Sequence, residues 1–351
     1  MERKEKGAAF LFSEKIKRLF KPSLSSSKNI HISLDIGSTY IKAVALEKAA
    51  QSVNIHGFGY TKIEKDVKEA IKNTLSSLPV KKKELSVSVS GSNVVLRYVH
   101  IPAMNQEEIS KSMAFELERY VPFNKDEINF DFVVLKNNKN TGKMLVLIVA
   151  AKKDLVDSRI FLCRELGYNL SFIDVCPLAL ANYFEFISAI KDKVCAIVNL
   201  GANISSVSII EDGLLALSRD IFIGGNDFTK KISEVLNKDF KEAEQIKMES
   251  LNDSLLQSLE PVFTNLTKEL KVSFDFYETQ ENRLIDKILV TGGSAYLKGM
   301  LDFMKHYLGP NIELITFDEQ KLKLSPSLDA VKFKDNFNYF TFALGMGFRN
   351  F

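Results

Sequence analysis

The chain has 351 residues, enough for two domains with separate cores, and 46% of them are hydrophobic. Its formal charge of +3 is uneven: residues 1–28 hold eight Lys or Arg against three Glu, so the rest of the chain is slightly acidic and lacks the basic excess of a nucleic-acid binder. No apolar run reaches the roughly 18 to 20 residues of a membrane span, residues 1–28 lack the apolar centre of a secretion signal, and the scattered Cys163, Cys176, Cys195 and four histidines give no zinc spacing, so buried free thiols in a cytoplasmic protein are expected.

In residues 1–28, Phe10, Phe12, Ile16, Leu19 and Phe20 alternate with Lys15, Lys17, Arg18 and Lys21 before Pro22. The pattern suits a basic amphipathic helix on an anionic membrane surface, and equally a disordered leader or a segment packed on the body or a partner. Residues 30–46 read as strand, turn, strand. Ile30, Ile32 and Leu34 alternate, as do Ile41, Ala43 and Ala45. Between them lies Asp35-Ile36-Gly37-Ser38-Thr39, in which Gly37 permits close approach, Ser38, Thr39 and main-chain N–H groups suit an anion, and Asp35 suits a divalent cation or its waters. An ordinary hairpin with a D-x-G turn is the competing reading.

Next come a strand at 53–60, a helix at 67–78, and strands at 85–90 and 94–101 separated by Gly91-Ser92-Asn93. Asn105 caps a helix running to Tyr120, and Pro122 ends it. Strands at 130–135 and 144–151, a helix at 154–166 and a strand at 170–173 then complete an α/β module over residues 94–173. Its aromatic residues Phe115, Tyr120, Phe123 and Phe132, with Val121, are expected to serve its core more than a partner.

A helix at 177–189 leads to an echo of the opening: a strand at 194–200, the turn Gly201-Ala202-Asn203, and strands at 205–210 and 214–221. Gly224-Gly225-Asn226-Asp227 opens a helix, with Asp227 as its cap. Helices at 240–250 and 254–279 follow, the latter with Leu255, Leu259, Val262, Leu266, Leu270 and Phe274 on one face. A strand at 285–291, the turn Gly292-Gly293-Ser294, a helix at 297–307, a strand at 312–317, a polar surface loop at 318–338 and a helix at 339–346 end the chain.

Three glycine turns therefore follow three strands, where main-chain N–H groups and helix starts favour anions. Glu244 and Lys247 share a helix face and suit the hydroxyls of a ribose, although spacing alone favours a solvated ion pair.

Asp35-Ile36-Gly37-Ser38-Thr39 with Lys42-Ala43-Val44 resembles the first phosphate motif of the actin and Hsp70 superfamily. Phe115-Glu116-Leu117-Glu118-Arg119-Tyr120-Val121-Pro122-Phe123, Arg219-Asp220-Ile221-Phe222-Ile223-Gly224-Gly225-Asn226-Asp227, Glu242-Ala243-Glu244-Gln245-Ile246-Lys247 and Val290-Thr291-Gly292-Gly293-Ser294-Ala295-Tyr296 resemble the PilM family of type IV pilus assembly. The resemblance implies an actin-like two-domain α/β fold with an inserted SHS2-like subdomain, as in the division protein FtsA. Residues 29–93 and 174–196 would form the split first domain, 94–173 the insertion, 197–335 the second domain, and 336–351 a C-terminal helix returning to the first.

It further implies ATP and Mg2+ in the cleft: Asp35, Gly37, Ser38, Thr39 and Lys42 on phosphate, with Asp35 also on metal; Asn199, Gly201 and Ala202 at the second phosphate turn; Gly224 and Gly225 beside them; Glu244 and Lys247 on ribose or base; and Gly292, Gly293 and Ser294 over adenosine. The implied partners are the N-terminal cytoplasmic peptide of a PilN-like inner-membrane protein, other platform proteins and further copies in a ring, so the implied location is cytoplasmic and peripheral to the inner membrane. Asn199 departs from the usual D-x-G and carries no charge to hold magnesium or activate water, so binding without efficient hydrolysis is expected. An ATPase or sugar-type kinase of the same superfamily, or an FtsA-like membrane tether, are the alternatives.

Overall fold

In a computed structural model, which describes residues 30–49, 52–138, 142–187, 193–249 and 251–349, β1 (Ile30–Ile36), β2 (Tyr40–Lys48) and β3 (Val53–Lys62) form an antiparallel meander. The basic leader and its membrane contact fall outside the described residues. Helix α1 (Val67–Ser76), capped by the Asp66 side chain, crosses to β4 (Glu84–Val89), which runs parallel to β1.

The chain then leaves this sheet. Strand β5 (Val94–Pro102), helix α2 (Gln106–Glu116), β6 (Ile128–Asn138) and β7 (Lys143–Lys152) build a three-stranded sheet in the order β5-β7-β6. Asn105 and Glu108 form a capping box at the start of α2, and Ile109 and Met113 pack on Val99, Met144 and Ile148 in a core of the module's own.

Helix α3 (Lys153–Glu165) and β8 (Asn169–Val175) go back to the first sheet instead of completing the module, as the reading of 94–173 had them. Strand β8 pairs in parallel with β4, while Val156 and Cys163 of α3 enter the larger core. Order along the chain does not specify which sheet a strand joins; the partner exposing a matching apolar edge does.

Helix α4 (Cys176–Ile187) leads to the second lobe. Strands β9 (Val194–Leu200), β10 (Ser205–Glu211) and β11 (Leu214–Ile221) repeat the meander. Helices α5 (Gly225–Leu236), α6 (Phe240–Glu249), α7 (Asp253–Ser258) and α8 (Glu260–Glu281) follow, then β12 (Lys287–Thr291), α9 (Met300–Leu308) and β13 (Ile312–Leu314), giving the order β11-β10-β9-β12-β13. The helix expected over 254–279 is two helices meeting at Leu259, because Pro261 lacks an N–H and suits the first turn of α8. Cys195, Ile197, Ile210 and Leu215 of this sheet join the first-lobe core, so one face of the second lobe rests on the first.

The stretch expected as a surface loop is structured. Strand β14 (Leu322–Leu324) completes the order β14-β3-β2-β1-β4-β8, and α10 (Ala330–Asp335) is followed by α11 (Thr341–Phe348). Phe333 and Phe337 are 0% and 1% exposed, and the Phe333 ring lies 4.9 Å from Phe58 and 5.2 Å from Phe340. Isolated aromatics in a polar stretch carry no period, so only the neighbours they meet reveal their burial.

Helix α11 packs on α4 so closely that a Cβ on Gly345 would overlap the Ala179 carbonyl oxygen. Gly345→Ala is expected to cost about 1–3 kcal/mol through overpacking, read as a lower thermal midpoint in calorimetry; an unchanged midpoint would show that the two helices separate freely. All three cysteines are free and buried, and among the described residues no helix is long and apolar enough to cross a membrane.

Candidate functional site

The parallel strands β1, β4 and β8 of the first lobe end together, and there Asp35 is buried at 5% exposure. Lys42, opposite Asp35 in the β1–β2 ladder, places Nζ 2.9 Å from Asp35 Oδ2, while the Ser88 hydroxyl stands 3.5 Å from Oδ1. The turn between them closes by a bond from Gly37 N–H to the Tyr40 carbonyl at 3.1 Å, and a Cβ on Gly37 would lie 2.8 Å from Lys42 Nζ. Ser38 at the tip is exposed, and the Thr39 carbonyl accepts the Ile63 N–H. A carboxylate and an ammonium are thus presented under a glycine turn that has no side chain to cover them.

In the second lobe the other turns converge. The Gly201 carbonyl accepts from Gly225 N–H and from Ser294 Oγ, both at 2.9 Å, and the Ala202 carbonyl accepts from Asn226 N–H at 2.8 Å. Asp227 takes the Gly224 N–H at 2.8 Å, so it does cap α5, by reaching back. Gly292 adopts φ +93°, a left-handed conformation costly for other residues, and a Cβ there would lie 2.7 Å from Asn199 Oδ1. Asn199, at 9% exposure, therefore stands between the second and third turns.

Glu244 and Lys247 lie next to this junction and are not a solvated pair. Their side chains are 21% and 10% exposed and meet at 2.7 Å; Lys247 Nζ also donates to Thr229 Oγ1 at 2.8 Å and to the Gly225 carbonyl at 3.0 Å. The Thr229 hydroxyl in turn donates to the Glu244 carboxylate. Burial lowers the pKa of Lys247, the Lys62 cation across the cleft adding to the effect while Glu244 opposes it. Buried charges need such partners, so spacing identified the pair and packing decided its setting.

Four tyrosines that the sequence reading did not single out join the lobes at this end. Tyr339 stacks on Tyr60 at 5.8 Å and on Tyr296 at 6.0 Å, with Tyr40 edge-on at 5.6 Å. A Cβ on Gly293 would lie 3.0 Å from the Tyr339 ring, and Asn338 donates to Tyr296 Oη. Burial, with Tyr40, Tyr60, Tyr296 and Glu244 nearby, pushes Tyr339 up to about 12. Tyr40, next to the first glycine turn, and Tyr296, two residues past the third, had a sequence signal in that adjacency; Tyr60 and Tyr339 had none.

Cys176 begins α4, and burial pushes its thiol up to about 12, the Asp35 and Asp220 charges adding to the effect while Ser88 and Ser90 oppose it. Asp220 aligns with Ser206 and Asn199 across three strands, and its carboxylate faces the Gly91 N–H. Burial raises its pKa.

The acidic groups near the first turn do not make a metal site by themselves. Among the described residues no group of three His, Cys, Asp or Glu could hold an ion, and Asp35 offers one carboxylate; Mg2+ is commonly held by one or two carboxylates, with phosphate oxygens and water supplying the rest.

A family model described as type IV pilus assembly protein PilM matches residues 33–351. The fold is similar to a chain of a PilM-PilN type IV pilus biogenesis complex, at TM-score 0.83 and 23% identity over 92% of this chain and 99% of that one. It is less similar to the ethanolamine utilization protein EutJ from Carboxydothermus hydrogenoformans, at TM-score 0.52 and 15% identity over 94% and 93%. In sequence it is 21% identical to the cell division protein FtsA of Staphylococcus epidermidis over 82% of this chain and 75% of that protein. These likenesses identify an actin-like, two-lobed α/β architecture with room for a small inserted unit.

Proposed function

Because the chain belongs to the PilM family of type IV pilus assembly proteins, we propose that it is a cytoplasmic, ATP-binding adaptor that docks the cytoplasmic N-terminal peptide of a PilN-like inner-membrane protein. The observation that carries the nucleotide part is the gathering of glycine turns at one cleft: Gly201, Gly225 and Ser294 are hydrogen-bonded together, and the tyrosine stack joins Gly293 to the strand that follows Gly37. The solved PilM-PilN complex supports the partner. Phe115, 89% exposed on α2 despite the expectation that it serves the core, gives the inserted module an apolar anchor for a peptide.

In this reading Lys42 and the N–H groups of the first two turns hold phosphate oxygens, and Asp35 orients the magnesium or its waters. Magnesium would neutralise phosphate charge. Glu244 and Lys247, held by Thr229 and Gly225, would meet the ribose, and Gly292, Gly293 and Ser294 would border the base beside Tyr296 and Tyr339. Occupancy would favour one angle between the lobes, which matters to a partner only if ATP binds that arrangement better.

The same residues argue against turnover. Asn199 is neutral and Cys176 holds its proton far above neutral pH, so neither can take a proton from a water attacking beside the second glycine turn. Titration calorimetry with Mg-ATP is expected to give saturable binding, and phosphate release over hours is expected to stay at the buffer rate. An absence of binding heat overturns the nucleotide reading, and steady release dependent on Asp35 would make the protein an ATPase.

A further inference from the structure

Among the described residues, the three-stranded module and the turn leading into it meet the β10–β11 hairpin of the second lobe near both ends of β10. The first is Gly91, with φ +88°, in the turn that carries the chain from β4 into β5. A Cβ on it would lie 3.8 Å from Ile204 Cδ1, just before β10, and its N–H faces the Asp220 carboxylate on β11. The second lies at the other end of β10. Glu211, 7% exposed, is held by Arg283 at 2.7 Å and faces Lys136 of β6 at 3.8 Å. Asp220 also shares a cross-strand row with Asn199, which neighbours the second and third glycine turns. The hairpin thus meets the cleft along one row and the module at both ends.

We infer that the Asp220–Gly91 and Glu211–Lys136 contacts couple the inserted module to the second lobe, so that closure of the cleft on a nucleotide is passed to the sheet β5-β7-β6. The inference rests on the nucleotide reading above. Asp220 acts here as a positioning residue: it holds the turn at which the module is hinged, and the buried Glu211 gives Lys136 a fixed point of attachment. Movement of the second lobe then changes the strain on both ends of the module together.

Hydrogen exchange on the full chain, with calorimetry on the same samples, tests this. In the unsubstituted protein, saturating Mg-ATP is expected to slow exchange in β5 and β7 by about fivefold, the low end of ordinary coupling between sites. Asp220→Ala should lose that response, and Asp220→Asn, which keeps an acceptor oxygen facing Gly91, should retain it. Lys136→Ala, at a half-exposed position, should weaken the response and carries the test if Asp220→Ala does not fold. Binding heat without any change in the module, or a full response in both alanine variants, overturns the coupling. Absence of heat from the unsubstituted protein overturns the nucleotide reading and the coupling with it.

Discussion

Asp35→Ala is expected to remove the magnesium dependence of ATP binding, weakening the Mg-ATP complex by on the order of 30-fold, about 2 kcal/mol, the lower end for truncating one member of a buried charge pair. The sign in the absence of magnesium is the opposite. The Asp35 carboxylate, with its side chain 7% exposed, repels phosphate and engages Lys42 at 2.9 Å. Without it, Lys42 is free to meet the anion, so ATP in excess EDTA should bind the variant at least as well as the unsubstituted chain. Lys42→Met should weaken both forms. Calorimetry with and without EDTA separates the cases; an equal loss under both conditions would show that Asp35 serves the β1–β2 turn and not the metal.

Arg349→Ala is expected to destabilise the fold by about 3–5 kcal/mol, the range for leaving a buried charge without its partner. Arg349, beyond the end of α11, is 4% exposed and lies 3.3 Å from Asp174 of β8, itself 1% exposed; its guanidinium also covers the Phe172 ring at 4.8 Å. The pair fastens the C-terminal return to the edge of the first sheet. Burial raises the pKa of Asp174, and Arg349 together with the Val175 N–H opposes the rise. An acid whose folded pKa lies above its unfolded value keeps a proton that the unfolded chain has released, so its contribution to stability falls as pH rises above the unfolded value of about 3.9. Removing Arg349 lifts the folded pKa further, so the loss should be smaller at pH 5 than at pH 8. Urea unfolding at the two values reads the difference; a loss independent of pH would assign the effect to lost packing on Phe172. Asp174→Asn combined with Arg349→Met should recover much of the stability, because no uncompensated charge stays buried.

Local chemistry in the sequence determined the two strand–turn–strand units, the three glycine turns, the cap of α2 and the neutral Asn199 in place of a carboxylate. Strand alternation, glycine in tight turns and capping are set by residues a few positions apart, and they read the same before and after folding. The pairing of Glu244 with Lys247 was legible for the same reason, being three residues apart on one helix.

Only the tertiary structure decided where those pieces went. Strand β8 joined the first sheet, Phe333 and Phe337 were drawn out of a polar stretch into an aromatic core, and Phe115 was left facing water beside residues that do pack. Tyr60 and Tyr339, 279 positions apart in the chain, came to stack at the cleft, and Asp220 met Gly91 across it. Each of these depends on which distant surface arrives to exclude water or supply a partner, a property of the assembled lobes that no window of neighbouring residues contains.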